Sequence, residues 1–136
     1  MRVVIDTNSL LVSIGRRSKY RPIFDALIAG RLTLLLSNEI LTEYAEILEQ
    51  RTNAEVADNV INFLIRSPDV ERVEVYFKWS LIYADADDNK FADCAFNGNA
   101  EYIVTDDRHF GVLKRIEFPR MRVIKTADFL RLITGE

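Results

Sequence analysis

Two rhythms of apolar positions alternate along the chain. Short, nearly continuous apolar or β-branched runs occur at Arg2-Val3-Val4-Ile5, Leu32 to Leu36, Val70 to Phe77, Tyr102 to Thr105 and Met121 to Ile124. Each predicts a strand. Between them, apolar residues recur at helical spacing. This predicts helices over Tyr20 to Ala29 closed by Gly30, Asn38 to Arg51, Ala54 to Arg66 stopped before Pro68, Asp87 to Asn97 closed by Gly98, and Ala127 to Thr134. A short helix from Ser9 to Ile14 would follow the first strand. Alternating strands and helices, with strands too apolar to have a wet face, predict an α/β fold: a three-layer α/β/α sandwich around a parallel sheet of about five strands. Right-handed crossovers in such a fold put ligands at the carboxyl ends of the strands.

Nothing in the pattern interrupts this arrangement. There is no repeat, low-complexity stretch or linker, and 136 residues match one domain with a core of its own, spanning 1–136. The segment from Ser13 to Arg21, with Arg16, Arg17, Lys19 and Arg21 among small polar residues, reads as a loose loop. Apolar residues at 49% and charged residues at 29% exclude a disordered or collagen-like chain.

Lys and Arg number 18 against 21 Asp and Glu, a net charge of −3, which differs from the basic balance of proteins that hold nucleic acid by charge alone. The lone Cys94 has no disulfide partner and no His or Cys cluster around it, so a reducing cytoplasm and a place in helix packing are expected. The first residues form neither a signal-peptide core nor a membrane span, and a soluble protein is expected.

The chemistry concentrates in acids. Asp6 follows the first strand in Ile5-Asp6-Thr7-Asn8 and would stand at the sheet's carboxyl edge, although it also fits an ordinary helix N-cap. Along Asn38 to Arg51, Ile40, Leu41, Tyr44, Ile47 and Leu48 form the apolar seam. Glu43 lies nearest its edge, while Glu39, Glu46 and Glu49 point away. Asp88 precedes Phe91, Ala92 and Ala95 by helical intervals and shares their face, where an unpaired charge is too costly to leave unmatched. By the same count Asp93 points off that stripe, and Asp85 and Asp87 read as turn and N-cap residues. Thr105-Asp106-Asp107 ends the fourth strand. Alternation puts Thr105 and Asp107 on one side and turns Asp106 away, with Asp107 also able to cap the helix that follows.

Gathering such acids has a cost. Two carboxylates 4 Å apart repel by about 4 kcal/mol at an effective dielectric near 20, so folding calls for a counter-charge. Without a His or Cys constellation the expected counter-ions are hard, oxygen-loving Mg²⁺ or Mn²⁺ rather than zinc. Such ions can activate water and stabilise the entering and leaving oxygens at a phosphodiester.

Asp-Thr-Asn after the first strand, a helical acid, Asp-Asp-Asn-Lys-Phe-x-x-x-Ala and then Ala-x-Tyr-Ile-Val-Thr-x-Asp together resemble PIN domains over the whole chain. The nearest branch in pattern is that of the VapC ribonucleases, the toxins of toxin-antitoxin pairs. The resemblance implies a sheet ordered 3-2-1-4-5 and a metal-dependent endoribonuclease. It makes Asp6, Glu43, Asp88 and Asp107 the acidic quartet, with Asn8 and Thr105 as supports. It further implies homodimers and a small antitoxin partner. Asp85, Asp87, Asp93 and Asp106 are additional acids without an assigned role.

Arg16, Arg17, Lys19, Lys90 and Arg108 are candidates for contact with an RNA backbone, and a solvated surface is the bland alternative. His109 is read as a surface residue at a helix start and receives no role. Two other functions compete. A phosphoacceptor or phosphatase on a similar sheet is disfavoured because a single Asp6 is followed by Thr7, without the acid pair or Asp-x-Asp those chemistries use. A binding module for RNA or protein that lacks catalysis, or a housekeeping RNase outside any toxin system, remains open.

Overall fold

A computed structural model of the protein describes residues 1–76, 78, 80–82, 86–116 and 121–135. Its strands are β1 (Arg2–Ile5), β2 (Thr33–Leu36), β3 (Val70–Arg72), β4 (Tyr102–Val104) and β5 (Val123–Ile124). All pairs are parallel and the spatial order is β3-β2-β1-β4-β5, which bears out the predicted fold. The helices are α1 (Thr7–Ile14), α2 (Arg21–Ile28), α3 (Asn38–Arg51), α4 (Ala54–Arg66), α5 (Asn89–Asn97) and α6 (Thr126–Thr134), with 3-10 segments at Ala86–Asp88 and Arg108–Arg115. Right-handed crossovers place the β1-to-β3 connections on one face of the sheet and α5 on the other.

The caps explain where the helices begin and end. Ser37 Oγ accepts the Ile40 N–H of α3 at 3.3 Å, and Asn53 Oδ1 accepts the Val56 N–H of α4 at 2.8 Å. Gly30, at φ +71° behind α2, adopts the left-handed backbone that a side chain would resist. Val3, Val4, Ile5, Leu34 and Leu35 are fully buried, each such side chain contributing about 1.5–3 kcal/mol of transfer free energy. Tyr44 of α3 is also fully buried and donates its hydroxyl to the backbone oxygen of Ile5 at the end of β1. That bond locks α3 against the edge where Asp6 emerges.

Three elements differ from expectation. The strand expected from Val70 to Phe77 stops at Arg72, and Phe77 lies outside the described residues. Parallel register pairs Leu34 with Val70 and Leu36 with Arg72. After a last bond from Val73 N–H to the Leu36 oxygen, β2 ends and β3 has no partner strand left. As an edge strand it also exposes Glu71 and Arg72, so it is wetter than the other strands. Second, the segment after α1 is tied down rather than loose. Ser18 N–H bonds Gly15 O at 3.0 Å, Arg21 N–H bonds Ser18 O at 3.1 Å, and the Ser18 hydroxyl donates to Val12 O.

The third difference is Asp93, which is buried, not turned to solvent. Phe91, Ala92, Asp93, Cys94 and Ala95 are consecutively buried. The helix α5 packs on β1, β2 and β4 and also touches α3, while the Phe110 ring covers Phe91 from outside at 6.4 Å. A stripe argument assumes one wet face, and α5 has none over these residues.

Cys94 sits in this packed helix, fully buried. Burial pushes its thiol up to about 12, and the nearby charges of Asp93 and Glu71 push the same way. A thiol that stays protonated is a poor nucleophile. The native protein is therefore expected not to react with a thiol-specific disulfide reagent at pH 8, and to react promptly in denaturing urea. Fast labelling of the native state would contradict this.

Candidate metal centre

Parallel register aligns the ends of β1 and β4, with Ile5 opposite Val104. The ladder continues one bond further, from Asp6 N–H to Val104 O at 2.9 Å, so Asp6 and Thr105 leave the sheet side by side. Thr105, itself buried, donates its hydroxyl to Asp6 Oδ2 at 2.7 Å and accepts the Asp107 N–H at 3.0 Å. One hydroxyl thus joins the Asp6 carboxylate to the Asp107 backbone. Asp6 stands at the N-cap position of α1, but its side chain makes no capping bond. Burial raises its carboxyl above the ordinary value, hydrogen bonds from Thr105 and the Thr7 backbone oppose that rise, and the charges of Glu43 and Asp107 reinforce it.

Asp88 arrives from the far side of the sheet. It ends a 3-10 turn and occupies the N-cap position of α5, one residue later than the predicted start at Asp87, and it is buried whereas Asp87 is exposed. The turn is held from behind by Asn89. Its Oδ1 accepts the Ile82 N–H at 2.9 Å and its Nδ2 donates to the Ile82 oxygen at 3.1 Å. Asp107 Oδ1 accepts the His109 N–H at 2.9 Å, capping the 3-10 segment that follows. This folds the imidazole back, with Nδ1 at 3.3 Å from Asp107 Oδ1 and 4.0 Å from Asp88 Oδ2. One ligand atom from each of Asp88, Asp107 and His109 lies within 4.8 Å of the others. Two carboxylates and an imidazole at that separation fit a divalent cation.

Glu43 is handled differently. Its Oε1 lies 2.8 Å from Lys90 Nζ, and its Oε2 accepts the Thr7 hydroxyl. The ion pair is largely shielded, with 14% of the Lys90 side chain and 27% of the Glu43 side chain exposed. Lys90, expected as an RNA contact, is thus the counter-charge of a predicted metal ligand, reached from α5 across the carboxyl edge to α3. Beside it opens a cleft of about 270 Å³ lined in part by Ser37, Lys78, Asp87, Lys90 and Asp93.

The family model described as PIN domain matches residues 2–109. The chain belongs to the PIN domain family. Its fold is similar to that in the crystal structure of VapBC2 from Rickettsia felis bound to a DNA fragment from its promoter, with a TM-score of 0.61 and 19% identity over 92% of this chain and 98% of that one. It is equally similar to that in the crystal structure of DNA-bound VapBC from Salmonella typhimurium, with a TM-score of 0.61 and 15% identity over 93% of this chain and 98% of the other. No curated protein sequence matches the chain.

In this PIN domain the remaining candidates are dispersed. Asn8 is exposed, and it is Thr7 that bonds to the acidic group. Arg16, Arg17 and Lys19 are exposed beyond the C-terminal end of α1, about 12 Å from its start at the 1.5 Å helical rise. Arg108 is exposed beside Asp107. Asp106 turns away as expected and caps α6, accepting the Thr126 N–H and the Thr126 hydroxyl, both at 2.9 Å. Asp85 lies outside the described residues. Sequence reasoning missed His109, Thr7 and the Lys90 pairing. Only for Lys90 was there a usable signal, since a Lys two residues after Asp88 shares its helix end.

Removing one partner of a shielded ion pair leaves the other charge without compensation. In metal-free buffer, Lys90→Met is expected to lose about 1–3 kcal/mol of stability, and Lys90→Met with Glu43→Gln to regain most of it. Urea denaturation of the two variants checks this. A double variant no more stable than the single one would show that the pair carries no such coupling.

Asp106→Ala is expected to lower stability by about 1 kcal/mol through the lost cap on α6. Urea denaturation of the variant beside the wild type checks this, and an unchanged midpoint would show that the contact with Thr126 carries no stability.

Proposed function

We propose that the protein is a Mg²⁺- or Mn²⁺-dependent endoribonuclease, one nuclease domain acting as the toxin of a toxin-antitoxin pair. The observation that carries the reading is the meeting of Asp6, Thr105 and Asp107 at two adjacent strand ends with Asp88 delivered from the opposite side of the sheet. Membership of the PIN domain family supports a nuclease. The VapBC complexes whose fold is similar motivate a small antitoxin as the partner that covers the site.

Asp88 and Asp107 would hold the ion, with Asp6 adjoining them and Glu43 joining when Lys90 yields it. A divalent ion bound there supplies charge neutralisation at the scissile phosphate and a more acidic water. The Thr105 hydroxyl keeps the Asp6 carboxylate oriented in the absence of any ion. Arg108 beside Asp107, and Arg16, Arg17 and Lys19 further out, would bind phosphates of the RNA backbone by charge. Cytoplasmic residence fits the lone buried Cys94, and no described helix is long and apolar enough to cross a membrane. Homodimer formation has a candidate surface on α4, where Ile65 is 57% exposed.

A second reading, an RNA- or protein-binding domain without catalysis, is favoured by one observation. The Glu43 carboxylate is already satisfied by Lys90 and Thr7. The test is cleavage of labelled single-stranded RNA in Mg²⁺ and in Mn²⁺. Wild-type protein is expected to cut, and Asp6→Asn, Asp88→Asn and Asp107→Asn each to reduce the rate about a hundredfold or more, as does EDTA. Salt-dependent RNA binding with no cleavage in either ion would establish the binding module instead. Equal cleavage by wild type and variants would mark a contaminant.

A further inference from the structure

The imidazole of His109 lies outside the acidic quartet, yet it is folded against it. Its backbone N–H is held by Asp107 Oδ1 at 2.9 Å, which keeps the residue beside that carboxylate. The ring edge that results points Nδ1 at two carboxylates on different elements, 3.3 Å from Asp107 Oδ1 and 4.0 Å from Asp88 Oδ2. Although 36% of the side chain is exposed, Nδ1 itself is shut off from solvent and has no hydrogen-bond partner among the described residues. A shielded ring nitrogen that makes no hydrogen bond and faces two anions is a lone pair set toward a cation, or an imidazolium paired with them. The mutual approach of all three ligand atoms within 4.8 Å suits the first role, because a single ion placed among them would be near all three.

We propose that His109 is a nitrogen ligand of the metal centre, completing a site of one imidazole and two carboxylates with Asp88 and Asp107. The consequence is selectivity. Oxygen-only sites suit Mg²⁺, whereas an imidazole in the shell favours borderline transition ions, so the site takes Mn²⁺ or Co²⁺ in preference to Mg²⁺. This rests on the nuclease reading for the identity of the site and adds to it the class of ion.

The chain contains a single histidine, so any imidazole signal from a bound ion in tag-free protein has one origin. Electron spin echo envelope modulation of Mn²⁺ added to the wild-type protein is expected to show directly coordinated nitrogen. His109→Ala should lose that modulation and bind Mn²⁺ at least about tenfold more weakly by titration calorimetry, while Mg²⁺ binding changes much less. His109→Gln, closer in shape, checks that the loss is not one of folding, with circular dichroism in EDTA unchanged. Mn²⁺ bound without nitrogen modulation overturns the proposal and identifies His109 as an ion-pair partner of the carboxylates. An unchanged Mn²⁺-to-Mg²⁺ affinity ratio in His109→Ala overturns it as well. In both cases wild-type RNA cleavage would leave the nuclease reading standing, whereas absence of ion binding together with absence of cleavage would remove both.

Discussion

The ends of β1 and β4 impose the constraint on which everything else rests. Parallel pairing with Ile5 opposite Val104 delivers Asp6 and Asp107 to one edge regardless of their mutual repulsion, because moving the register would turn core residues outward. The Thr105 hydroxyl makes the juxtaposition tolerable, giving its proton to Asp6 and taking the Asp107 N–H. Burial and neighbouring charge still raise the Asp6 carboxyl. A protein that only needed stability would not keep such a pair at the centre of its sheet edge.

The four predicted acids are not handled alike, and Asp6 takes its hydrogen bond from Thr105. Glu43 is matched within the chain, by the Lys90 ammonium and the Thr7 hydroxyl. Asp88 and Asp107 instead converge with an imidazole on a common point. In the proposed metal centre a divalent ion would compete with the Lys90 ammonium for Glu43. The adjoining cleft is lined by Lys78 and Lys90 as well as by Asp87 and Asp93, so both signs of charge meet there.

Support for the site comes from elements that carry no chemistry. Asn89 clamps the backbone at Ile82, Tyr44 holds the end of β1, and Asp106 anchors α6 through Thr126, whose hydroxyl also lies 2.8 Å from that of Ser9. Each is a polar side chain spent on backbone or hydroxyl groups that would otherwise be buried unpaired. Together they tie the carboxyl edge to the elements around it.

Local pattern was sufficient for the element order, the parallel sheet and the placing of Asp6, Thr105 and Asp107, because strand and helix periodicity act over neighbouring residues and acids at strand ends announce themselves, while Asp88 proved to end a 3-10 turn before α5 instead of lying within an α-helix. It failed wherever the deciding contact came from elsewhere in the chain. The end of β3 at Arg72 depends on the length of β2, and Asp93 is buried at a cleft whose other walls, among them Ser37, Val75 and Ser80, come from distant parts of the chain. The pairing of Lys90 with Glu43 spans α5 and α3, and the turn of His109 toward Asp88 needs two chain segments to meet. Sequence by itself determined which residues could form an anionic site. Tertiary structure decided which of them converge with an imidazole and which are already paired, since charge compensation is a matter of distance in space and periodicity carries no information about it.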